Sequence, residues 1–359
     1  MLLRMLGPLS IVLVALAHLA GGCVTRPVED PDHHQLVIRL PKRDAELARK
    51  IAEDHGMKIR DEPGSGLTQE SCGADGYTTS IYTLSISSAT IDNRRPWYQE
   101  ECPSSIATYG GNQGINQVAI VTGEYGILSF DEHSGAAMVI DYALQTNPDL
   151  TWRDVQHIIL RTANPTRFLD KPGWSTNGVG RKFSNKFGYG HLDYEAIIEL
   201  SKRWRTVPEQ HICTYDYKLA DPNPHPLTGK NQLNFTLEAD GCEKGTRVLY
   251  LEHVEVHSSK RFGKRGDLKL TLISPSGTTS VLLPPRRQDF KSDGFYNYLT
   301  VQMWGEDPRG TWTLMIESVA AEPDLTGTFH DWTLRLYGTG DPAQPGDALH
   351  AYWIRPRRV

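Results

Sequence analysis

The sequence predicts two domains in series, an incomplete α/β unit followed by an all-β sandwich or jelly roll. Three observations carry this. Residues 136–162 hold two stretches with apolar residues at helical spacing, preceded by short runs rich in β-branched and aromatic residues. The order and number of those early strands do not amount to a closed layered sheet. After Trp204 the texture changes to short apolar runs separated by Gly, Pro, Asp and Ser clusters, the pattern of an antiparallel sandwich. At 359 residues, 39% hydrophobic and 23% charged, each domain is large enough to bury a core. The net charge of −5 gives no basic field, which removes the argument for a nucleic-acid partner.

The chain opens with Arg4, an apolar run from Met5 to Ala20, and the small residues Ala20, Gly21 and Gly22. This predicts a signal peptide over residues 1–22. Cys23 follows directly; lipid attachment there is the alternative, but Ala20 is a poor apolar residue for a lipobox. No later apolar run is long enough to cross a membrane, so no transmembrane segment is expected and the chain is placed in the secretory pathway lumen (Golgi or granule) or outside the cell.

Alternation over Gln35–Leu40 predicts a strand, and the spacing of Ala45, Leu47, Ala48, Ile51 and Ala52 predicts a helix over Asp44–His55 that Gly56 closes. Pro63, Gly64, Ser65 and Gly66 form a flexible joint. Strands are expected over Ser80–Ser88 and Gln117–Thr122, then helices over Ala136–Gln145 and Thr151–Thr162. Thr151 is the N-cap of the second helix, with Asp154 three residues on. The second domain should run through strands near Phe235, Val248–His257, Leu268–Ile273, Thr279–Leu283, Leu299–Met303, Trp312–Ile316 and Trp332–Tyr337. Residues beyond Gly340 read as a loose tail. Of the five cysteines, Cys72, Cys102, Cys213 and Cys242 fall as one pair in each half, which suggests two local bridges without fixing connectivity.

Several strings are closer than such patterns produce: DGYTTSIYTLSISS from Asp75, TWRD from Thr151, TNGVG from Thr176 and FGYGHLD from Phe187. Together they resemble the C-terminal third of the catalytic domain of kexin/furin-type proprotein convertases. In the second domain LEHV from Leu251, RGDLKLTLISPSGT from Arg265 and WGEDPRGTWTL from Trp304 resemble the P (Homo B) domain of those proteases. Residues 35–60 resemble the start of their prodomain. The resemblance therefore implies a signal peptide (1–22), the first part of a prodomain (23–66), an α/β remnant of a subtilisin-like catalytic domain (67–204), an all-β P domain (205–340) and a tail (341–359). It implies calcium-dependent serine endopeptidase activity in the family, with secretory precursor proteins cut after paired basic residues as substrates. Strings such as Ile81-Tyr82-Thr83 lean toward the neuroendocrine convertases and furin.

The same resemblance shows what is missing. A subtilisin-like site needs an Asp to orient a His, the His to take a proton from a Ser, and an amide for the oxyanion. The family's Asp-Asp-Gly or Asp-Ser-Gly, His-Gly-Thr and Gly-Asn-Gly strings do not occur in this chain. The one His-Gly pair, His55-Gly56, matches the end of the prodomain helix. His133-Ser134-Gly135 runs directly into Ala136-Ala137-Met138, with the nucleophile segment skipped. Ser134 does not match the nucleophile position. Asp141 places a carboxylate on an otherwise apolar helix, which requires an exposed face there. The catalytic set is thus empty, and the reading is an inactive, internally shortened convertase. The alternative is a pseudoprotease that binds other convertases or their substrates through the P domain. With central strands missing, a stable P domain beside a partly ordered remnant is expected.

The resemblance also assigns Asp75 to the pocket for the substrate's P1 arginine and Glu70 and Glu100 to a nearby calcium site, whose remaining ligands would lie in the missing stretch. It pairs Cys72 with Cys102 and Cys213 with Cys242. Three further signals remain. Asn234-Phe235-Thr236 is a glycosylation sequon. Arg265-Gly266-Asp267 spells an adhesion tripeptide that the P-domain reading explains as a strand entry. His253, Glu255 and His257 share one strand face, where cross-strand packing is the expected role rather than a metal.

Overall fold

The computed structural model describes residues 72, 78–90, 93–95, 99–110, 120–121, 127–128, 132–217, 225–228, 232–242, 247–286, 289–290, 293–319 and 326–345. The expected signal peptide and prodomain segment lie outside these residues. In chain order the elements are β1 (Ile86–Ala89), β2 (Ala107–Gly110), β3 (Ile120–Val121), β4 (Ile127–Leu128), α1 (Glu132–Thr146), α2 (Trp152–Thr162), β5 (Ser175–Thr176), β6 (Lys182–Phe183) and α3 (Tyr194–Ser201). The β-rich part follows with β7 (His211–Tyr217), β8 (His225–Thr228), β9 (Gln232–Ala239), β10 (Tyr250–Phe262), β11 (Leu268–Ile273), β12 (Thr279–Leu283), β13 (Asp293–Thr300), β14 (Gly310–Ser318) and β15 (Thr326–Thr339).

β7 to β15 make a sandwich of two antiparallel sheets. One has the order β13-β10-β15-β7, with β8 also pairing β15; the other is β12-β11-β14-β9. Period-two alternation decides which residues face inward. On β14, Trp312, Leu314 and Ile316 point into the core, and on β15 Trp332, Leu334 and Leu336 do so from the opposite sheet. Burying a Leu or Trp side chain here contributes about 1.5–3 kcal/mol each. Cys213 on β7 bonds to Cys242 in the turn after β9 and so ties one sheet to the other. The Tyr215 hydroxyl accepts from the backbone of Gly241 (3.0 Å) and Cys242 (3.1 Å), which fixes that turn.

Among the described residues the first half has one parallel strand pair, β1 with β2, and three α-helices. α2 is defined at its start by a reciprocal capping box. The Thr151 hydroxyl accepts from Asp154 N at 3.2 Å, and the Asp154 carboxylate accepts from Thr151 N at 2.8 Å. Asp154 is fully buried, and its other oxygen accepts from Trp204 Nε1 (2.7 Å) and Val207 N (2.8 Å), so one carboxylate both starts the helix and holds the chain after α3. Gly190 has φ of +128°, and its Cα lies against the Asn164–Pro165 backbone, where a Cβ has no room.

Some expected elements come out differently. The strand expected over Ser80–Ser88 is confined to Ile86–Ala89 within the described residues, because Ile81 and Tyr82 pack as a turn, Ile81 with Leu299 and Tyr337, and Tyr82 with Trp152 at 4.9 Å. β10 runs five residues past His257, and the strand placed at Leu299–Met303 ends at Thr300, with Met303 and Trp304 buried in a following turn. β7 and β8 were not among the expected strands. α1 begins at Glu132, so Ser134 sits in its first turn rather than ahead of it. Asp141 is partly exposed and accepts from Gln145 at 2.7 Å, as an exposed helix face requires. Past Gly340 the chain first packs back: Ala343 is buried and Gln344 donates to Arg205 O at 2.7 Å. The helices also do not stand apart from the sandwich, since Val301, Trp304 and Ala343 belong to their apolar cluster.

Leu314→Ala should lower unfolding stability by about 2–5 kcal/mol through lost burial and a residual cavity, read from a urea melt of the whole chain.

Candidate functional site at the junction of the helices and the sandwich

Several contacts join the first half to the sandwich, and three of them are built from strings that carried the family resemblance. At the first, Arg153 on α2 makes a bidentate pair with Glu252 on β10: Nε to Oε2 at 3.0 Å and Nη2 to Oε1 at 2.5 Å. Its Nη1 donates to Pro208 O at 2.7 Å. Gln210 donates to Glu252 Oε2, and His157 Nε2 lies 2.7 Å from Oε1. Glu252 is 1% exposed. Burial alone would raise its pKa, but the hydrogen bonds from His157 and Arg153 and the Arg153 charge outweigh that and hold its carboxyl below the usual carboxylate range. Burial pushes His157 the other way, toward the neutral ring. Its Nδ1 has no hydrogen-bond partner, which fits a neutral imidazole donating from Nε2. Next to it His253 packs edge-on to Trp304 at 5.0 Å, and burial lowers its pKa to about 3.

At the second contact, the Thr176–Gly180 loop enters the sandwich. Asn177 Nδ2 donates to Gln302 O (3.1 Å) and Trp304 O (3.3 Å), while its Oδ1 accepts from Val179 N and Arg181 N. Gly178 N donates to Glu306 Oε1 at 2.8 Å, and any Cβ on Gly178 would meet the Ser276 side chain. Glu306 also accepts from the hydroxyls of Ser274 (2.6 Å) and Thr278, and burial raises its pKa. At the third, the Tyr189 hydroxyl donates to Val301 O at 2.6 Å, and Val301 N donates to Pro103 O at 3.2 Å.

The junction holds charge but has no means of transferring a proton from a nucleophile. His157 uses Nε2 on Glu252 and leaves Nδ1 unpartnered, so it activates no hydroxyl. Of the residues expected to bind substrate or metal, Asp75 and Glu70 lie outside the described residues. Glu100 is described and accepts from Cys72 N at 2.9 Å. One described carboxylate already engaged by the backbone does not supply the six to eight oxygens that calcium takes. Cys72 is bonded to Cys102 and Cys213 to Cys242. Asn234 lies on the exposed face of β9. Arg265 of the Arg-Gly-Asp tripeptide is buried in an ion pair with Asp289 at 2.6 Å, which denies it to an adhesion receptor. Glu255 accepts from Tyr337 (2.9 Å) and sits 3.0 Å from His257 Nε2, the cross-strand packing role.

Residues 251–336 match the family model for the proprotein convertase P-domain. Over 295 residues the chain is 62% identical to the endoprotease bli-4 of Caenorhabditis elegans, covering 80% of this chain and 31% of that protein. It is equally similar to the endoprotease bli of Onchocerca volvulus, over 80% of this chain and 43% of that one. The chain belongs to the kexin/furin-type proprotein convertases. Human furin is 40% identical over 289 residues, covering 78% of the convertase chain and 36% of furin. The fold is also that of a solved serine protease of Aeromonas sobria in complex with its chaperone, at a TM-score of 0.63 and 17% identity over 78% of this chain and 62% of that one. The chain thus spans 31% to 43% of the length of these curated relatives. Among its described residues no helix is long and apolar enough to cross a membrane.

The strings TWRD, LEHV and WGEDP contain Arg153, Glu252 and Glu306, whose roles their spacing does not single out. The available signal was a charge set inside an apolar strand, Glu252 between Leu251 and Val254, which demands a buried partner.

Glu252→Gln strands the buried Arg153 charge and should cost about 3–5 kcal/mol in a urea melt, whereas the double change Arg153→Met with Glu252→Leu should cost much less. His253 is neutral when folded and charges on unfolding below its ordinary value of 6.5. Stability is therefore lost as pH falls from there toward about 3. His253→Phe should flatten that part of a plot of Tm against pH.

Proposed function

We propose that this chain is a non-catalytic member of the convertase family that works in the secretory pathway by binding rather than cutting. The observation that carries the reading is local. His133-Ser134-Gly135, after which a relative would present its nucleophile, lies in the first turn of α1 and runs straight on into Ala136, and no Asp or His motif of the family occurs in the 359 residues. What the chain keeps is the P domain, the helices it is locked to and the Glu252 junction between them. A folded P domain without a catalytic triad retains surfaces, and surfaces support recognition of precursors with paired basic residues or of other convertases. Asp75, Glu70 and any calcium would serve such recognition only with ligands beyond those described. An N-linked glycan on Asn234 is compatible with this reading, because its exposed strand face leaves the side chain clear of the core.

The purified secreted chain, given calcium and a fluorogenic peptide ending in Arg-Lys-Arg, should show no turnover above buffer while a full-length convertase cleaves it. Turnover blocked by a serine-directed inhibitor would overturn the proposal.

A further inference from the structure

Adjacent basic residues recur along this sequence, and among the described residues the fold withholds most of them. Arg181, Lys260, Arg265 and Arg286 each belong to such a pair and are buried. Lys202 and Arg203 are exposed but continue the end of α3 as a helical turn, Lys202 N donating to Ile198 O at 3.2 Å and Arg203 N to Leu200 O at 3.3 Å. Arg94 and Arg95 differ from all of these. Both are exposed, they lie in neither helix nor strand, and the sequence around them is Asn93-Arg94-Arg95-Pro96.

The pair is also held in place. Thr90 N donates to Arg94 O and Asn93 N to Thr90 O, each at 2.9 Å, and the Thr90 hydroxyl accepts from Arg94 N at 2.8 Å. Asn93 takes the left-handed φ of +60° that this closure requires. Four residues after Arg95, buried Gln99 donates to the Ser87 hydroxyl and to Lys186 O. Cys102 then bonds to Cys72, and its backbone N–H donates to Asn185 O at 2.8 Å. Arg95 donates to Gln99 O from Nε (3.0 Å) and Nη2 (2.6 Å) and stands 3.4 Å from Glu101. Its side chain keeps 34% of its surface in solvent, where such an ion pair is weak and a stronger acceptor displaces it. Pro96 biases Arg95 toward extended backbone, the form in which a peptide enters a cleft.

We infer that the Arg94-Arg95 segment occupies the substrate cleft of a catalytically complete convertase and inhibits it. This rests on the proposal above that the chain binds rather than cuts, and it names the partner. A cleft that accepts adjacent guanidiniums lines them with carboxylates, which the exposed pair complements. A precursor with paired basic residues carries the same charge and is repelled. Anchoring by Thr90, Gln99 and Cys102 fixes the segment before it binds, which lowers the ordering cost of association. Cutting after Arg95 would require the partner's histidine to protonate the leaving nitrogen, and at Pro96 that nitrogen carries the proline ring, which crowds the transfer.

The test is inhibition by the full secreted chain of a full-length convertase that is cleaving a fluorogenic Arg-Lys-Arg peptide in calcium. Expected is competitive inhibition, with apparent KM raised and kcat unchanged, and a parent chain that stays intact on a reduced gel. Arg94→Gln/Arg95→Gln should weaken inhibition by about tenfold or more. Lys202→Gln/Arg203→Gln, equal in charge change, should stay within about twofold of the parent. If the double change at 94 and 95 is not secreted folded, Arg94→Gln alone should weaken inhibition by about threefold or more with Tm unchanged. No inhibition, inhibition that is not competitive, equal inhibition by the Arg94 and Arg95 variants, or cleavage of the parent after Arg95 would each overturn the inference and leave the non-catalytic proposal standing. Peptide turnover by this chain with no convertase added would instead overturn that proposal, and the inference with it.

Discussion

The Glu252 carboxylate is almost without solvent, and the arrangement of both halves follows from the need to keep it paired. Arg153 meets it with two donors, Gln210 with one and His157 with another, while Trp304 and His253 close the surroundings with apolar surface. A buried ion pair of this kind adds little net stability against an apolar replacement, yet it is costly to break. Its consequence is registry. Arg153 is fixed by the capped start of α2, Glu252 by its place on β10, an interior strand of its sheet, and Gln210 by the connection between them. The helices and the sandwich are thereby held in one orientation.

That constraint explains how the first half is held when, among the described residues, β1 and β2 are its one parallel pair. Parallel sheets are stable when both faces are covered, and two strands alone do not provide enough area. The apolar side chains of α2 and α3 instead gather around Ile158, Ile159, Leu160 and Ile197, and the sandwich contributes Val301 and Trp304 to the same cluster. Asn177 and Glu306 add hydrogen-bonded contacts at which each buried acceptor has named donors. The P domain thus supplies part of the core that a complete sheet would otherwise give.

Much of the sandwich was legible because its alternation is unambiguous: Leu268–Ile273 and Thr279–Leu283 lie where the pattern puts them. β7 escaped because its alternation is inverted at the start: the apolar Ile212 is on the exposed face with Thr214 and Asp216, and the polar His211 shares the face of Cys213, Tyr215 and Tyr217. β8 contains Pro226, which argues against a strand except at an edge. Ser80–Ser88 was over-read, since β-branched and aromatic residues suit any half-buried surface, here a turn packed on Leu299 and Tyr337. The candidate site was legible only as strings. Arg153 and Glu252 stand 99 residues apart, and no periodicity links them. What those strings do became visible only when the fold brought them together.

The helices and the P domain form one cooperative structure through this junction. Native-state amide hydrogen exchange, followed by mass spectrometry on the whole chain, tests it most directly. The account predicts that α2 amides from Val155 to Leu160 and β10 amides from Val254 to Ser258 exchange through the same opening, with equal protection that falls in step as urea is added. Rapid exchange in α2 beside full protection in β10 would contradict it and leave a P domain with a loosely attached remnant.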